Sequence, residues 1–361
     1  MNTEPTPALD DLEQMQSVDV RNMLRLINEL PEQYETAMGL ARNFVAEPLL
    51  TKPNVVLISG IGDSAVAADM AAAALAEETD VPIVTDHGGR LPKYVGEESL
   101  VFMVDYSGKS QLTLRNCREA RLRGARVICV TTGGDLRDAA AKDGIDTIKI
   151  MPGQPSRTAV GYLFAPLVVA IEQLGLATGA AEKLSHAVRL LKNVRESFRF
   201  ESPTARNRAK QVAQGLCGKM VAIYGGGDYR KAVAARWKNL INTNSKALAF
   251  TGTYSNAAES EISGWETAER QCKEFAIVFL RDSSDKSELT DLVDVTKELL
   301  ERFEIIDVQM TGATTVEKLL YGTYLGDYVS YYLALLYGVD PTRTRNIAYV
   351  QARLAGEEPP E

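Results

Sequence analysis

The sequence predicts an α/β fold of two tandem doubly wound parallel-sheet domains behind a helical N-terminal lead-in, on three observations. The chain has 361 residues, more than twice the ~150 of an ordinary domain. Apolar runs of strand length alternate with amphipathic runs of helix length, as in a parallel sheet covered on both faces. The second half also opens like the first. VLISGIGDSAVAAD laid on AIYGGGDYRKAVAA pairs Gly60 with Gly225, Gly62 with Gly227 and Asp63 with Asp228 at a constant offset of 165 residues, which reads as a duplicated unit.

Residues 1–50 are the expected lead-in. Between Leu9 and Phe44, Met23, Ile27, Leu30 and Tyr34 fall on one helical face, and Pro31, lacking an amide hydrogen, kinks or interrupts that helix. The first sheet domain, 51–175, is expected to place strands at 54–60, 82–86, 99–105, 125–131 and 146–150, with helices at 63–78, 109–123 and 135–143 between them. Helical sequence after Gln154 runs into a helical linker at 176–203. The second domain, 204–361, opens with a strand and helix in KMVAIYGGGDYRKAVAARW (219–237). Strands in 274–282 and 304–312 follow, and helices at 313–337 and 343–354 close the chain. Two cores are expected, one per domain.

Composition excludes several function classes. Forty Lys+Arg against 48 Asp+Glu give a formal charge of −8, with no run of five or more basic residues to track a nucleic acid backbone. At 45% hydrophobic and 24% charged residues the chain reads as soluble and globular. No stretch approaches the ~18–20 apolar residues of a membrane span, and Met1 to Asp11 is acidic, so a cytoplasmic protein is expected. Cys117, Cys129, Cys217 and Cys272 form no CxxC pair, and Cys129, in the apolar run RVICVTT, reads as a buried reduced thiol. His87 and His186, the only histidines, share no ligand spacing, so neither a metal nor a His-rich catalytic site is expected. No cofactor is called for.

In a doubly wound sheet, ligands bind at the carboxyl ends of the strands. The first such loop, Gly60-Ile61-Gly62-Asp63-Ser64-Ala65, presents backbone N–H groups and a hydroxyl at a helix N-terminus, a ready anion site. It also fits GxGxxA, and Asp86 closes the next strand where a ribose carboxylate would stand, so a dinucleotide-binding oxidoreductase is a rival reading. The second loop is Asp105-Tyr106-Ser107-Gly108-Lys109-Ser110 and the third Thr131-Thr132-Gly133-Gly134. Three strands ending in hydroxyls and glycines favour a small phosphorylated ligand over a dinucleotide. Against that, Ser, Thr and Gly are also ordinary turn and N-cap residues.

Six motifs in chain order then carry a resemblance: GIGDSAV, DYSGKSQLT, TTGGDL, PGQPSRTAVGY, ESEISGWE and LGDYVSYYLALLYGVDP. They resemble the sugar isomerase (SIS) family, and more narrowly its bifunctional phosphoglucose/phosphomannose isomerases, from about residue 30 to the end. The resemblance implies two SIS domains, a homodimer with shared sites, no metal, and interconversion of glucose 6-phosphate or mannose 6-phosphate with fructose 6-phosphate.

Such an isomerisation needs a base to move a proton between C2 and C1 and donors to hold the enediolate. By resemblance, the phosphate loops GxGGSA and SYSGNT carry over to Gly62, Ser64, Ser107 and Ser110, with Asp63 and Asp105 at positions the family fills with glycine and serine. A carboxylate ~4 Å from a phosphate costs roughly 1 kcal/mol in water and about 4 at a protein-like dielectric, so two that face the site would weaken phosphate binding, and the sequence leaves their orientation open. The enediolate-stabilising arginine is kept as Arg157, beside Ser156. The proton-transferring glutamate of a NENAK-like segment falls on Thr243, in Asn242-Thr243-Asn244-Ser245-Lys246. The ring-opening histidine contributed across the dimer falls on Glu259, and a C-terminal lysine on Gln351. Glu259 or Glu261 is a replacement base, or else an ordinary solvated helix face. With all three acid/base positions changed, reduced or altered activity is expected, and non-catalytic phosphosugar binding is the alternative.

Overall fold

The computed structural model describes residues 9–45, 47–267 and 272–358. Residues 1–8 and 46 of the expected lead-in therefore lie outside the described part. The lead-in forms α1 (Leu12–Val18), α2 (Met23–Asn28) and α3 (Leu30–Arg42). Met23, Ile27, Leu30 and Tyr34 are all buried, as the helical spacing predicts. The break falls at Glu29, and Pro31 sits in the first turn of α3, where a missing N–H leaves no helical bond unmade.

The first sheet contains β1 (Val55–Gly60), β2 (Ile83–Asp86), β3 (Ser99–Asp105), β4 (Arg126–Thr131) and β5 (Asp146–Lys149). Between them lie α4 (Asp63–Leu75), α5 (Gln111–Leu122) and α6 (Gly134–Asp143). A 3₁₀ turn at Ser156–Thr158 leads into α7 (Val160–Gln173), α8 (Ala180–Phe198) and α9 (Arg208–Leu216). The second sheet follows with β6 (Met220–Gly225), α10 (Tyr229–Leu240), a π-helical turn at Ile241–Ser245 and β7 (Ala249–Thr253). A single turn α11 (Tyr254–Asn256), a second π-helical turn (Ala257–Glu261) and α12 (Ile262–Glu266) precede β8 (Phe275–Arg281). The chain continues through α13 (Ser287–Leu299), β9 (Glu304–Gln309), α14 (Thr315–Leu336) and α15 (Arg345–Ala355).

Both sheets are wholly parallel, ordered β2-β1-β3-β4-β5 and β7-β6-β8-β9. Each reverses strand order beside its first strand, between β1 and β3 and between β6 and β8, and those switch points open the crevices in which such sheets take ligands.

Instead of the two separate cores expected from sequence, the described residues form three clusters, of which the central one is shared. Successive strand residues point to opposite faces, so Val56, Ile58, Leu100 and Phe102 face one way while Leu57, Val101 and Met103 face the other. The first set joins Val221, Ile223, Ala276 and Val278 of the second sheet in one continuous apolar body. Helix α14 runs through it, with every residue from Leu319 to Leu336 buried, the signature of a helix apolar on all sides. Small residues let neighbours close on it: a methyl group added at Gly326 would meet the Trp237 indole at 2.3 Å. The segment expected as a linker carries α8, whose Leu184, Ala187, Val188 and Leu191 are buried. Cys117 and Cys129, distant in sequence, are free thiols whose sulfurs lie 3.9 Å apart on α5 and β4. Among the described residues no helix is long and apolar enough to cross a membrane.

Candidate active site

The loop after β1 folds tightly because Gly60 lets the first turn of α4 settle on the strand end; a methyl there would meet Ser64 at 2.9 Å. Gly62 has φ 61°, in the left-handed region that favours glycine. Ser64 is buried at the start of α4, and its hydroxyl makes no hydrogen bond among the described residues. It remains available to a ligand, at a helix end whose N–H groups attract anions.

The loop after β3 is organised by Asp105. Its Oδ1 accepts from the Ser107 amide and hydroxyl, both at 3.1 Å, and its Oδ2 accepts from the Ser110 amide at 2.8 Å. The sequence leaves the direction of this carboxylate open; in the fold it turns into its own loop, 7% exposed, and occupies N–H groups that an anion would otherwise take. Ser107 and Ser110 are committed as well. Ser107 Oγ accepts from the Lys109 amide, and Ser110 Oγ caps α5 by accepting from the Thr113 amide. This loop interlocks with the third, since the Thr132 amide and hydroxyl both donate to the Tyr106 carbonyl and the Leu136 amide to that of Gly108. A methyl on Gly108 would overlap the Gly133 carbonyl.

Arg157 stands where the two sheet units meet. Its Nε donates to Asn244 Oδ1 at 2.7 Å, and its Nη2 to the carbonyls of Pro341 and Thr342 at 3.0 and 2.7 Å. Nη1 has no protein partner among the described residues. Burial pulls the guanidinium pKa down, while the nearby Asp63 and Asp340 carboxylates oppose it. Asp63 Oδ2 accepts from the Ser156 hydroxyl at 2.5 Å, so the first loop and the Arg157 turn are tied directly.

Sequence reading missed the residues that hold this arginine. Gln33 of the lead-in is buried and donates to the Thr158 carbonyl while accepting from the Gly161 amide. Buried Arg236 donates to the Arg157 carbonyl at 3.1 Å and is forked onto Asp327, with Nη2 at 2.6 Å and Nε at 3.3 Å. Lys246 donates to the carbonyls of Asn244 and Asp340. Burial, then the charge of Arg157, pushes its pKa down to about 8. Only the segment around Asn244 and Lys246 had a sequence signal; the other partners are 79 to 128 residues away along the chain.

The structure thus brings Asp63, Ser64, Ser156, Arg157 and Asn244 to one place. It spends the Thr243 hydroxyl on the carbonyl of Asn239, at 2.7 Å. Glu259 is exposed on the second π-helical turn and Gln351 exposed on α15, and neither bonds to the Arg157 cluster among the described residues. Glu261 accepts from the Tyr224 hydroxyl at 2.5 Å, which fixes it as part of a packed turn. Asp86, the rival reading's ribose carboxylate, accepts from the Ser59 hydroxyl at 2.7 Å and from the Gly88 and Gly89 amides. It caps its own turn.

Residues 49–158 match the SIS domain and residues 205–354 the bacterial phospho-glucose isomerase C-terminal SIS domain. The bifunctional phosphoglucose/phosphomannose isomerase of Caldicellulosiruptor bescii is 33% identical over 335 residues, 92% of this chain and 99% of that protein. Its counterpart in Aquifex aeolicus is 28% identical, covering 90% and 99%. In solved structures, a glucose-6-phosphate isomerase like protein from Thermus thermophilus superposes with a TM-score of 0.61 at 21% identity, over 94% of this chain and 98% of that one, a likeness of fold.

Proposed function

Because the chain belongs to the bifunctional phosphoglucose/phosphomannose isomerase family, we propose that it binds a sugar 6-phosphate between the first-sheet loops and Arg157, and isomerises it at reduced rate. The observation that carries this is the state of Arg157: two nitrogens pinned by the protein, Nη1 left open, beside the uncommitted Ser64 hydroxyl. A guanidinium held in advance of the reaction is what a developing enediolate requires. The phosphate goes to Ser64 and the N-terminus of α4, with the Ser110 hydroxyl, which only accepts from Thr113, keeping its own hydrogen to donate. Glucose 6-phosphate or mannose 6-phosphate exchanges with fructose 6-phosphate.

Proton transfer is where the resemblance breaks. By that resemblance Thr243, whose hydroxyl is engaged and is no base, stands at the glutamate position, Glu259 at the histidine position and Gln351 at the lysine position. Loss of one acid/base group lowers a rate by roughly 10²–10⁴. Proton NMR with fructose 6-phosphate in D₂O, beside the Caldicellulosiruptor relative, is expected to show product at least about 10² slower. Saturable binding without product or C1 exchange would support the second reading, a phosphosugar-binding protein, which the committed Thr243 hydroxyl favours. Turnover at the relative's rate, or no interaction with the sugar phosphate, would defeat the proposal. The reading includes a cytoplasmic homodimer in which Glu259 completes the partner's site; sedimentation as a monomer at micromolar concentration would remove that sharing.

A further inference from the structure

A cavity of about 1100 Å³ lies at the carboxyl edge of the second sheet, with no residue of the Arg157 cluster in its lining. Gly227 and Asp228 after β6 and Asp282, Ser284 and Asp285 after β8 bound it on one side, with Thr251 and Asn256 beside them; helix α4 bounds it on the other through Asp69, Ala72, Ala73 and Ala76, next to Asp86 and His87 at the end of β2. It lies at the switch point between β6 and β8, and the reaction proposed for Arg157 uses none of these residues.

The second unit has closed its own glycine turn with internal charge. The Arg230 side chain is 1% exposed and donates to Asp228 through Nε and Nη2 at 2.9 and 2.7 Å, and to Asp285 through Nη1 and Nη2 at 2.6 and 2.8 Å. Its guanidinium lies flush on the turn, since a methyl at Gly226 would meet Nη2 at 2.6 Å. Asp282 accepts from the Tyr229 hydroxyl, the Ser284 amide and hydroxyl, and Lys318 Nζ, at 2.6 to 2.9 Å. These ions neutralise one another. What they leave is a wall rich in carboxylate oxygens, amide and hydroxyl groups, with more Asp and Glu than Lys and Arg around the cavity. A phosphate dianion would meet repulsion there. A neutral ligand carrying many hydroxyls would find acceptors for them in Asp69 and Asp228, donors in Lys286 and Asn256, and an apolar strip for its C–H face in the alanines of α4.

We infer that this cavity is a second binding site, for an unphosphorylated saccharide. At about 1100 Å³ it lies just above the roughly 300–1,000 Å³ of small-molecule sites, room enough for a mono- or disaccharide. It goes beyond the isomerase reading and stands whether or not turnover occurs. Saturation-transfer NMR with D-glucose, D-mannose and maltose tests it. Ring protons of at least one sugar are expected to show binding at about 1 mM or tighter, weakened about tenfold or more by Ala76→Trp and by Thr251→Tyr, which fill opposite walls. Circular dichroism melting shows that each variant folds, and either alone suffices. Binding is expected to survive Arg157→Ala and saturating fructose 6-phosphate. No transfer to any of the three sugars, transfer unchanged by both filling variants, or transfer displaced by fructose 6-phosphate would each overturn the inference.

Discussion

Arg157→Ala is expected to weaken fructose 6-phosphate binding by about 10- to 10²-fold and to slow residual turnover by roughly 10²–10³. The first figure follows from losing a charge-assisted hydrogen bond of about 1.5–3 kcal/mol; the second is the usual loss when a donor to a developing oxyanion is removed. The change also leaves Asn244 Oδ1 and the carbonyls of Pro341 and Thr342 without their donor, so the denaturant midpoint falls as well. Arg157→Lys separates the two effects. It keeps the charge but cannot serve Asn244 and the carbonyl pair together, so stability drops while part of the affinity remains. Titration of both folded variants with fructose 6-phosphate decides the matter, and unchanged affinity in Arg157→Ala would reduce this arginine to a structural tie.

Arg236→Ala is expected to cost about 3–5 kcal/mol of folding free energy, read as a shift in the urea midpoint. Arg236 and Asp327 sit 2% and 4% exposed, on α10 and α14 within the shared core. Removing the guanidinium strands a carboxylate where water cannot reach it. The cost lies in the stranding rather than in the pair's net worth, because two opposite charges also lose hydration on burial. Accordingly, Arg236→Met with Asp327→Leu is expected to recover most of the loss. That double variant still lacks the donor to the Arg157 carbonyl, so it should fold and bind the sugar phosphate less well. A loss below about 1 kcal/mol in Arg236→Ala would mean the pair is solvated after all.

How legible these features were in the sequence depends on how local their causes are. β1 and β3 read clearly because every residue of each is buried, leaving unbroken apolar runs. β7 was missed: its Phe250 and Thr251 are exposed at the sheet edge, and Gly252 carries no strand preference. The loops were legible as loops, since glycine and hydroxyl residues after apolar runs have a local cause. The direction of Asp105 was not, because it depends on which amides the closed loop leaves unpaired. Nor were Arg230 with Asp285 and Arg236 with Asp327, partners 55 and 91 residues apart, whose pairing exists only once both sheets have formed. The shared core escaped for the same reason: alternation along a strand shows that both faces are covered without showing that one cover serves two sheets.

Helix α14 sets a timetable for synthesis. It packs against α4, α8, α9 and α10, all of which leave the ribosome before it does. At about 5–20 residues per second, roughly ten to fifty seconds pass between the emergence of α4 and that of Leu336. During that interval the nascent chain presents inner faces of α8, α9 and α10 whose final cover does not yet exist. A chain built this way covers its central core only once α14 has emerged, and until then its partners of opportunity are chaperones and neighbouring nascent chains.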